Sequence, residues 1–308
     1  MENILILGSS GFIGKHLLNR LIKNPEIKSN KKNICLIKYK KNFTNNLVPK
    51  SIDFYDLKLN QTKDILDLIS KNKVNTIIHL ASGLIPASSR SEFNKEVEEL
   101  INPSYEIFEL ALKLGIKTLF ISSGGTVYGN NSNPKEGDQL NPVNFYGKSK
   151  LLLENYLRSL NPENFNYYIL RPSNVYGPFF NVNIKQGLIT NVIYSIANNK
   201  PIKVWGDGSA VRDYVYIDNL IEVILIFLER CIPTGPYNVG SQIGHSVSEV
   251  IEVVENYFDK NATIDFLDND NEGIKSNVLD VSKLQSVIEY KPYDLQYGIK
   301  QTIKSLKT

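Results

Sequence analysis

The chain is poor in the residues that build disulfide and metal frameworks: its 308 residues include two cysteines, three histidines, one methionine and one tryptophan. Cys35 and Cys231 are far apart and lack ligand spacing, which excludes a disulfide framework and a structural zinc site and fits a reducing compartment. His16, His79 and His245 are too scattered to hold a metal, so none is expected. Charge of one sign is scarce as well. The 35 basic and 32 acidic residues leave a net charge of +3 with no long run of either sign, so neither nucleic acid nor an anionic membrane is an expected partner. No apolar run can cross a bilayer. The longest, 220–232, is short and interrupted by Glu222, Glu229 and Arg230, and it reads as a buried helix. The start, Met1-Glu2-Asn3 followed by Ile4-Leu5-Ile6-Leu7, has no basic leader or cleavage site, so it reads as a strand of a protein that stays in the cytoplasm.

What is present is an ordinary globular composition, 42% hydrophobic and 22% charged, in a chain long enough for two lobes. Short apolar runs bounded by turn residues recur at 4–7, 34–37, 76–80, 118–121 and 167–170, as strands covered on both faces do. Helical patterns lie between them at 15–23, 64–70, 104–114 and 149–160, the alternation of a doubly wound α/β fold with a parallel sheet. After Arg171-Pro172 the alternation stops. The expected division is therefore a first domain of 1–172, with the segment near 211–239 also packing on it, and a smaller C-terminal lobe of 173–308. Ser246-x-x-Glu249 ahead of Val250, Ile251, Val253 and Val254 is a capping box that opens a helix running to about Phe258.

Directly after the first strand stands Gly8-Ser9-Ser10-Gly11-Phe12-Ile13-Gly14, opening the first helix. Glycines there permit a tight turn and let a pyrophosphate approach the helix N-terminus. In this strand-turn-helix context the motif predicts dinucleotide binding. Versions specific for NAD carry an acidic residue about 20 positions further on, for the adenosine ribose hydroxyls. No Asp or Glu occurs here between Glu26 and Asp53, and the second strand leads into Lys38-Tyr39-Lys40-Lys41. These lysines suit a 2′-phosphate, so NADP(H) is the expected cofactor, with NAD the alternative if they form only a solvated loop.

Tyr146-Gly147-Lys148-Ser149-Lys150 sets a tyrosine and a lysine four apart, on one face of a helix. A free phenol has a pKa of about 10, and a neighbouring ammonium favours the phenolate, which brings proton transfer toward neutral pH. Upstream lies Ile121-Ser122-Ser123-Gly124-Gly125-Thr126-Val127-Tyr128-Gly129, whose hydroxyls are candidates for the same site.

These segments resemble the extended short-chain dehydrogenase/reductase family, in particular its nucleotide-sugar epimerases, dehydratases and 4-keto reductases. The resemblance spans the chain through the glycine motif, Ile78-His79-Leu80-Ala81, Asn102, the Ser-Ser-x-x-Thr-Val-Tyr-Gly segment and Tyr146-x-x-x-Lys150. It continues through Leu170-Arg171-Pro172-Ser173-Asn174-Val175-Tyr176-Gly177-Pro178 and Val211-Arg212-Asp213-Tyr214-Val215-Tyr216-Ile217-Asp218. It implies a Rossmann-type sheet with a C-terminal lobe that binds a nucleotide-diphosphate sugar. Tyr146 would transfer the proton at the sugar C4 oxygen while the nicotinamide exchanges hydride with C4. Lys150 would bind the nicotinamide ribose and tune Tyr146. Gly8, Ser10, Gly11, Phe12, Ile13, Gly14, Lys38, Asp56, Leu57, Leu80, Ala81 and Ser82 would line the dinucleotide, Asn174 and Arg212 would hold the diphosphate, and Asn102 would support the lysine. The chain departs from the family at Gly124, where a hydroxyl for the C4 oxygen commonly stands; Ser123 is the first candidate to replace it, with Thr126 nearby. It departs again at 269–276, where an expected arginine is absent and Lys275 is the available cation.

The implied enzyme is an NADPH-dependent reductase of a nucleotide-activated 4-keto-6-deoxy sugar, such as dTDP-4-dehydro-6-deoxyglucose, in the making of surface polysaccharides. The second reading is a nucleotide-sugar 4-epimerase that keeps NAD bound. A dehydratase fits less well, because Gly124-Gly125 replaces the acidic pair such enzymes carry. A scaffold that retains the fold without turnover is a further class, and the intact Tyr146 and Lys150 argue against it. A homodimer through the helices at 104–114 and 149–160 is implied by resemblance alone.

Overall fold

The computed structural model describes residues 2–25, 32–37, 52–160, 165–178, 187–268 and 274–306. Lys38, Lys40 and Lys41 lie outside the described residues. The first half of the chain builds strands β1 (Glu2–Leu7), β2 (Lys32–Ile37), β3 (Ile52–Tyr55), β4 (Thr76–His79) and β5 (Lys117–Ile121), followed by β6 (Tyr167–Pro172). The helices between them are α1 (Phe12–Ile22), α2 (Thr62–Lys71), α3 (Arg90–Glu96), α4 (Asn102–Leu114), the short α5 (Gly124–Val127) and α6 (Phe145–Ser159). Ile4, Leu5, Ile6 and Leu7 are all at most 2% exposed, which explains why β1 is an unbroken apolar run and not an alternating one. On α1 the buried positions are Gly14, Leu17, Leu18 and Leu21, the three-and-four spacing of one helix face.

The sheet has seven strands in the order β10-β6-β5-β4-β1-β2-β3, with β10 (Gly235–Val239) on one edge, and the six strands from β6 to β3 pair in parallel. Strand order reverses between β1 and β4. In a doubly wound sheet the crevice beyond the carboxyl ends of such a pair is where ligands bind. Leu80 N donates to Leu7 O at 2.9 Å, so the two strand ends are tied together just before the chain turns away.

The remaining elements are β7 (Asn174–Tyr176), α7 (Leu188–Ala197), β8 (Ile202–Trp205), β9 (Val211–Tyr216), α8 (Ile217–Glu229), β11 (Gly244–Ser246), α9 (Val247–Phe258), β12 (Ile264–Leu267), β13 (Ser276–Asn277), α10 (Ser282–Gln285) and α11 (Leu295–Leu306). Strand β9 is their hub, pairing antiparallel with β11 and parallel with β7 and β13. The capping box at α9 forms as expected. Glu249 N donates to Ser246 Oγ at 3.1 Å, Ser246 N donates to Glu249 Oε2 at 2.7 Å, and the helix ends at Phe258.

The chain forms two compact units. One comprises Met1–Val127, Pro142–Leu170 and Ile224–Pro236, the other Tyr128–Asn141, Arg171–Val223 and Tyr237–Thr308. The segment Tyr128–Asn141 joins the second unit through its backbone, with Val278 N donating to Ser132 O at 3.0 Å and Asp280 N to Pro134 O at 3.1 Å. No described helix is long and apolar enough to cross a membrane, and the greasy stretch at 220–232 lies largely in α8.

Candidate active site

The turn after β1 owes its shape to Gly8 and Gly14. Gly8 has a φ of +83°, and a Cβ there would lie 2.7 Å from Ala81 N. Only glycine allows both the left-handed backbone and the close approach to the segment after β4. A Cβ at Gly14 would lie 2.5 Å from Ser9 O, so the helix seats directly on its own entry turn. Gly11 caps α1 without any side-chain hydrogen bond. The first N–H groups of a helix have no intrahelical acceptor, and together with the positive end of the helix dipole they suit an anion. The turn therefore fits a dinucleotide pyrophosphate.

Ser10 is half-buried in this turn, Ile13 is half-buried in α1, and Phe12 meets His16 edge-on with centroids 5.2 Å apart. Leu80 is half-buried, Ala81 buried and Ser82 exposed, all beyond the end of β4. Asp56 is exposed just past β3, whereas Leu57 packs against the core of the first unit.

Tyr146 and Lys150 share a face of α6, with Lys150 Nζ 5.7 Å from the Tyr146 ring centroid. Asn144 caps this helix, its side chain accepting from Gly147 N at 2.8 Å. Lys150 is 3% exposed; its ammonium donates to Ile121 O at 3.2 Å and lies over the Phe120 ring at 5.2 Å. Burial brings its pKa down to about 8, against the opposing pull of Glu96 and then Glu154.

Tyr146 behaves differently from the expectation drawn from spacing. Desolvation raises its pKa above the ordinary phenol value, a hydrogen bond with Ser123 partly offsets this, and Glu96 adds to the rise. Tyr146 is thus a phenol through the physiological range and stands ready as a proton donor.

Of the two hydroxyl candidates, Ser123 is the one close enough to offset part of the rise at Tyr146. Thr126 Oγ1 donates instead to Ser123 O at 3.5 Å. Gly147 sits against Thr126, and a Cβ there would lie 3.0 Å from Thr126 O, so the tyrosine helix packs closely on the Ser-Ser-Gly-Gly segment. His79 is a core group. Ser104 Oγ donates to Leu100 O at 2.6 Å and can then accept only from His79 Nε2, at 2.8 Å, and burial holds the ring neutral, its pKa pushed down to about 3.

Asn102 is exposed at the start of α4, directly after a π-helical turn at Val97–Ile101, and no hydrogen bond joins its side chain to Lys150 among the described residues. The inward group from this segment is Glu96, 7% exposed, whose Oε1 accepts from Gly83 N at 2.9 Å. Sequence reasoning missed it.

In the second unit Asn174 and Arg212 stand on neighbouring strands. Asn174 pairs with Tyr214 across β7 and β9, and its Nδ2 donates to Asp213 O at 2.8 Å. Arg212 donates to its neighbour's carbonyl, Val211 O, at 2.8 Å, and no carboxylate pairs with it among the described residues. Burial lowers its pKa from the usual guanidinium value, yet Arg stays charged at any accessible pH. A half-buried guanidinium with unused donors suits a diphosphate. Asp213, fully buried, has a structural role: its carboxylate accepts from Ser173 Oγ at 3.2 Å, Ser241 N and Oγ at 2.7 Å, and Leu279 N at 3.3 Å.

Residues 4–240 match the model of the NAD dependent epimerase/dehydratase family. The chain is 30% identical to dTDP-4-dehydro-6-deoxyglucose reductase of Escherichia coli, over 99% of this chain and 98% of that one. It is equally 30% identical, over the same shares, to a putative UDP-glucose 4-epimerase of Methanocaldococcus jannaschii. Among solved structures it is similar to a UDP-glucose 4-epimerase with UDP-glucose from Thermotoga maritima, with a TM-score of 0.86 and 25% identity over 99% of this chain and 98% of that one. A Thermus thermophilus UDP-glucose 4-epimerase in complex with NAD shares the fold at a TM-score of 0.86 and 23% identity, over 99% of each chain. The chain belongs to the NAD dependent epimerase/dehydratase family and is an enzyme of the extended short-chain dehydrogenase/reductase type. Its fold is the expected Rossmann-type one.

Proposed function

We propose that this enzyme is an NADPH-dependent reductase of a nucleotide-diphosphate 4-keto-6-deoxy sugar, with dTDP-4-dehydro-6-deoxyglucose as the first substrate to try. The observation that carries the reading is Tyr146, which shares a face of α6 with Lys150 and is kept a phenol by burial. A reductase needs a proton donor at the start of its cycle. When bound, the dinucleotide supplies the hydride that reaches C4. Tyr146 then gives its proton to the C4 oxygen, so the carbonyl becomes a secondary alcohol and the tyrosine a phenolate to be reprotonated from solvent. Ser123 orients the phenol, Lys150 holds the nicotinamide ribose, and the Gly8, Gly11 and Gly14 turn holds the pyrophosphate, with Ser10, Phe12 and Ile13 beside it. Asp56, Leu57, Leu80, Ala81 and Ser82 complete the dinucleotide contacts, and Asn174 and Arg212 hold the sugar-nucleotide diphosphate.

The preference for NADPH rests on Lys38 and the absence of an acidic residue after β2. A cytoplasmic homodimer belongs to the same reading. Its support is the exposure of Leu114 on α4 and Leu152 on α6, apolar side chains that a second copy would cover.

Mixing the enzyme with NADPH and dTDP-4-dehydro-6-deoxyglucose is the direct test. One NADPH consumed per sugar reduced supports the reading, whereas interconversion of UDP-glucose and UDP-galactose with no added dinucleotide overturns it. That second outcome defines the 4-epimerase reading, which the structural likeness to the Thermotoga maritima enzyme favours.

A further inference from the structure

Burying an ammonium requires an anion close by. Lys150 is such an ammonium, and this inference rests on reading Tyr146 and Lys150 as the chemical pair. The neighbours of Lys150 come from several elements. Strand β5 offers the Ile121 carbonyl and the Phe120 ring. Strand β4 offers His79, which is neutral. Helix α6 itself offers Glu154, one turn further on. Helix α3, which packs on α6 through Phe93 and Phe145, offers Glu96, whose negative charge favours the ammonium of Lys150 and the phenol of Tyr146 while burial raises its own pKa, with Glu99 beside it.

Glu96 is held in place from three sides. Its Oε1 accepts from Gly83 N at 2.9 Å, and the Leu84 amide also reaches the carboxylate. A Cβ on Gly83 would collide with Glu96 Oε2, so the loop lies directly against the acid. Phe93, one turn earlier, packs on Phe145 at the start of α6, with centroids 5.3 Å apart. The π-helical turn begins at the next residue, Val97, and such turns occur often at functional sites.

We propose that Glu96 is a positioning residue for proton transfer: its buried carboxylate is the counter-ion of Lys150 and the strut that fixes the 81–84 loop. A negative charge beside both groups favours the protonated form of each, an ammonium at Lys150 and a phenol at Tyr146. That is the state a net reductase starts from. An epimerase, which must first remove a proton from the C4 hydroxyl, starts from the opposite state of the tyrosine. Glu96 therefore biases the pair toward proton donation.

The test uses Glu96→Gln, which keeps an acceptor for Gly83 N and removes the charge. Lysine labelled at its ε-carbon reports the Lys150 titration by NMR in the dinucleotide-free protein, the signal being assigned with Lys150→Met. Glu96→Gln is expected to lower the Lys150 midpoint by about one pH unit and to move the alkaline limb of the kcat/KM profile down with it. A midpoint and a limb both unchanged in a folded Glu96→Gln protein would overturn the proposal. If that variant does not fold, the wild type decides: the Lys150 signal must show a second inflection where Glu96 titrates, and a single inflection overturns the proposal. Tyr146→Phe separates this from the function reading, because an active Tyr146→Phe enzyme sinks the reductase chemistry while the NMR result still judges Glu96.

Discussion

The two units of the chain use their signature segments in opposite ways. In the first, Gly8, Gly14, Tyr146 and Lys150 are disposed for a ligand: the glycines clear space, the helix start is left without a side-chain cap, and the phenol is kept protonated. In the second, most of the residues in its two signature segments hold the unit together. Arg171 is fully buried and donates to Tyr128 Oη at 2.8 Å, Tyr128 donates to Asn238 Oδ1 at 2.7 Å, and Asp213 gathers four hydrogen bonds. Arg212 keeps donors unused, and Asn174 beside it spends its Nδ2 on Asp213 O. The segments of the second unit are thus mostly scaffolding by their buried hydrogen bonds, while those of the first are the ones we propose for the chemistry.

That contrast can be broken by mutation. Tyr146→Phe should lower turnover by about 10²- to 10⁴-fold while leaving the melting temperature and dinucleotide affinity unchanged, as kinetics and titration would show. Asp213→Ala should do the reverse, costing on the order of 3 kcal/mol in denaturant unfolding by stranding buried donors at Ser173, Ser241 and Leu279. Equal losses of stability in both variants would erase the distinction. Arg212→Ala should raise the KM for the nucleotide sugar roughly tenfold to a hundredfold with little change in kcat, the loss of charge-assisted hydrogen bonds to a diphosphate.

pH sharpens the picture of the first unit. The Lys150 pKa is depressed to about 8, so its charge is present below that pH and lost above it; kcat/KM should fall as pH rises through about 8. A flat profile to pH 10 would remove Lys150 charge from the account. The smallest effect belongs to Asn102→Ala, expected to change stability by about 0.5 kcal/mol or less and turnover not at all, since the residue is exposed.

Local geometry made the dinucleotide turn legible, because a glycine demanded by a positive φ leaves its mark in the sequence next to the strand it follows. The pairing of Tyr146 with Lys150 was legible from helix periodicity, and the capping box at Ser246 and Glu249 from its spacing. The direction of the shift at Tyr146 was not. Spacing places an ammonium near a phenol, but burial raises the phenol and lowers the amine. Glu96 was hidden for a similar reason: nothing in the run from Glu92 to Glu99 singles out one of its four glutamates, and only the π-helical turn and the approach of Gly83 show that one of them points inward. Asn102, whose place in the sequence fits the family, is exposed directly after the same turn.

The central claim, a reductase that takes up NADPH for each turnover, is tested most directly by denaturing the purified protein, identifying any released dinucleotide, and titrating the emptied protein with NADPH and NADH. The account predicts little bound dinucleotide and tighter binding of NADPH than of NADH, an advantage that Lys38→Asp removes. Stoichiometric release of NAD, with Lys38→Asp leaving NADPH affinity unchanged, would contradict it and favour the epimerase reading.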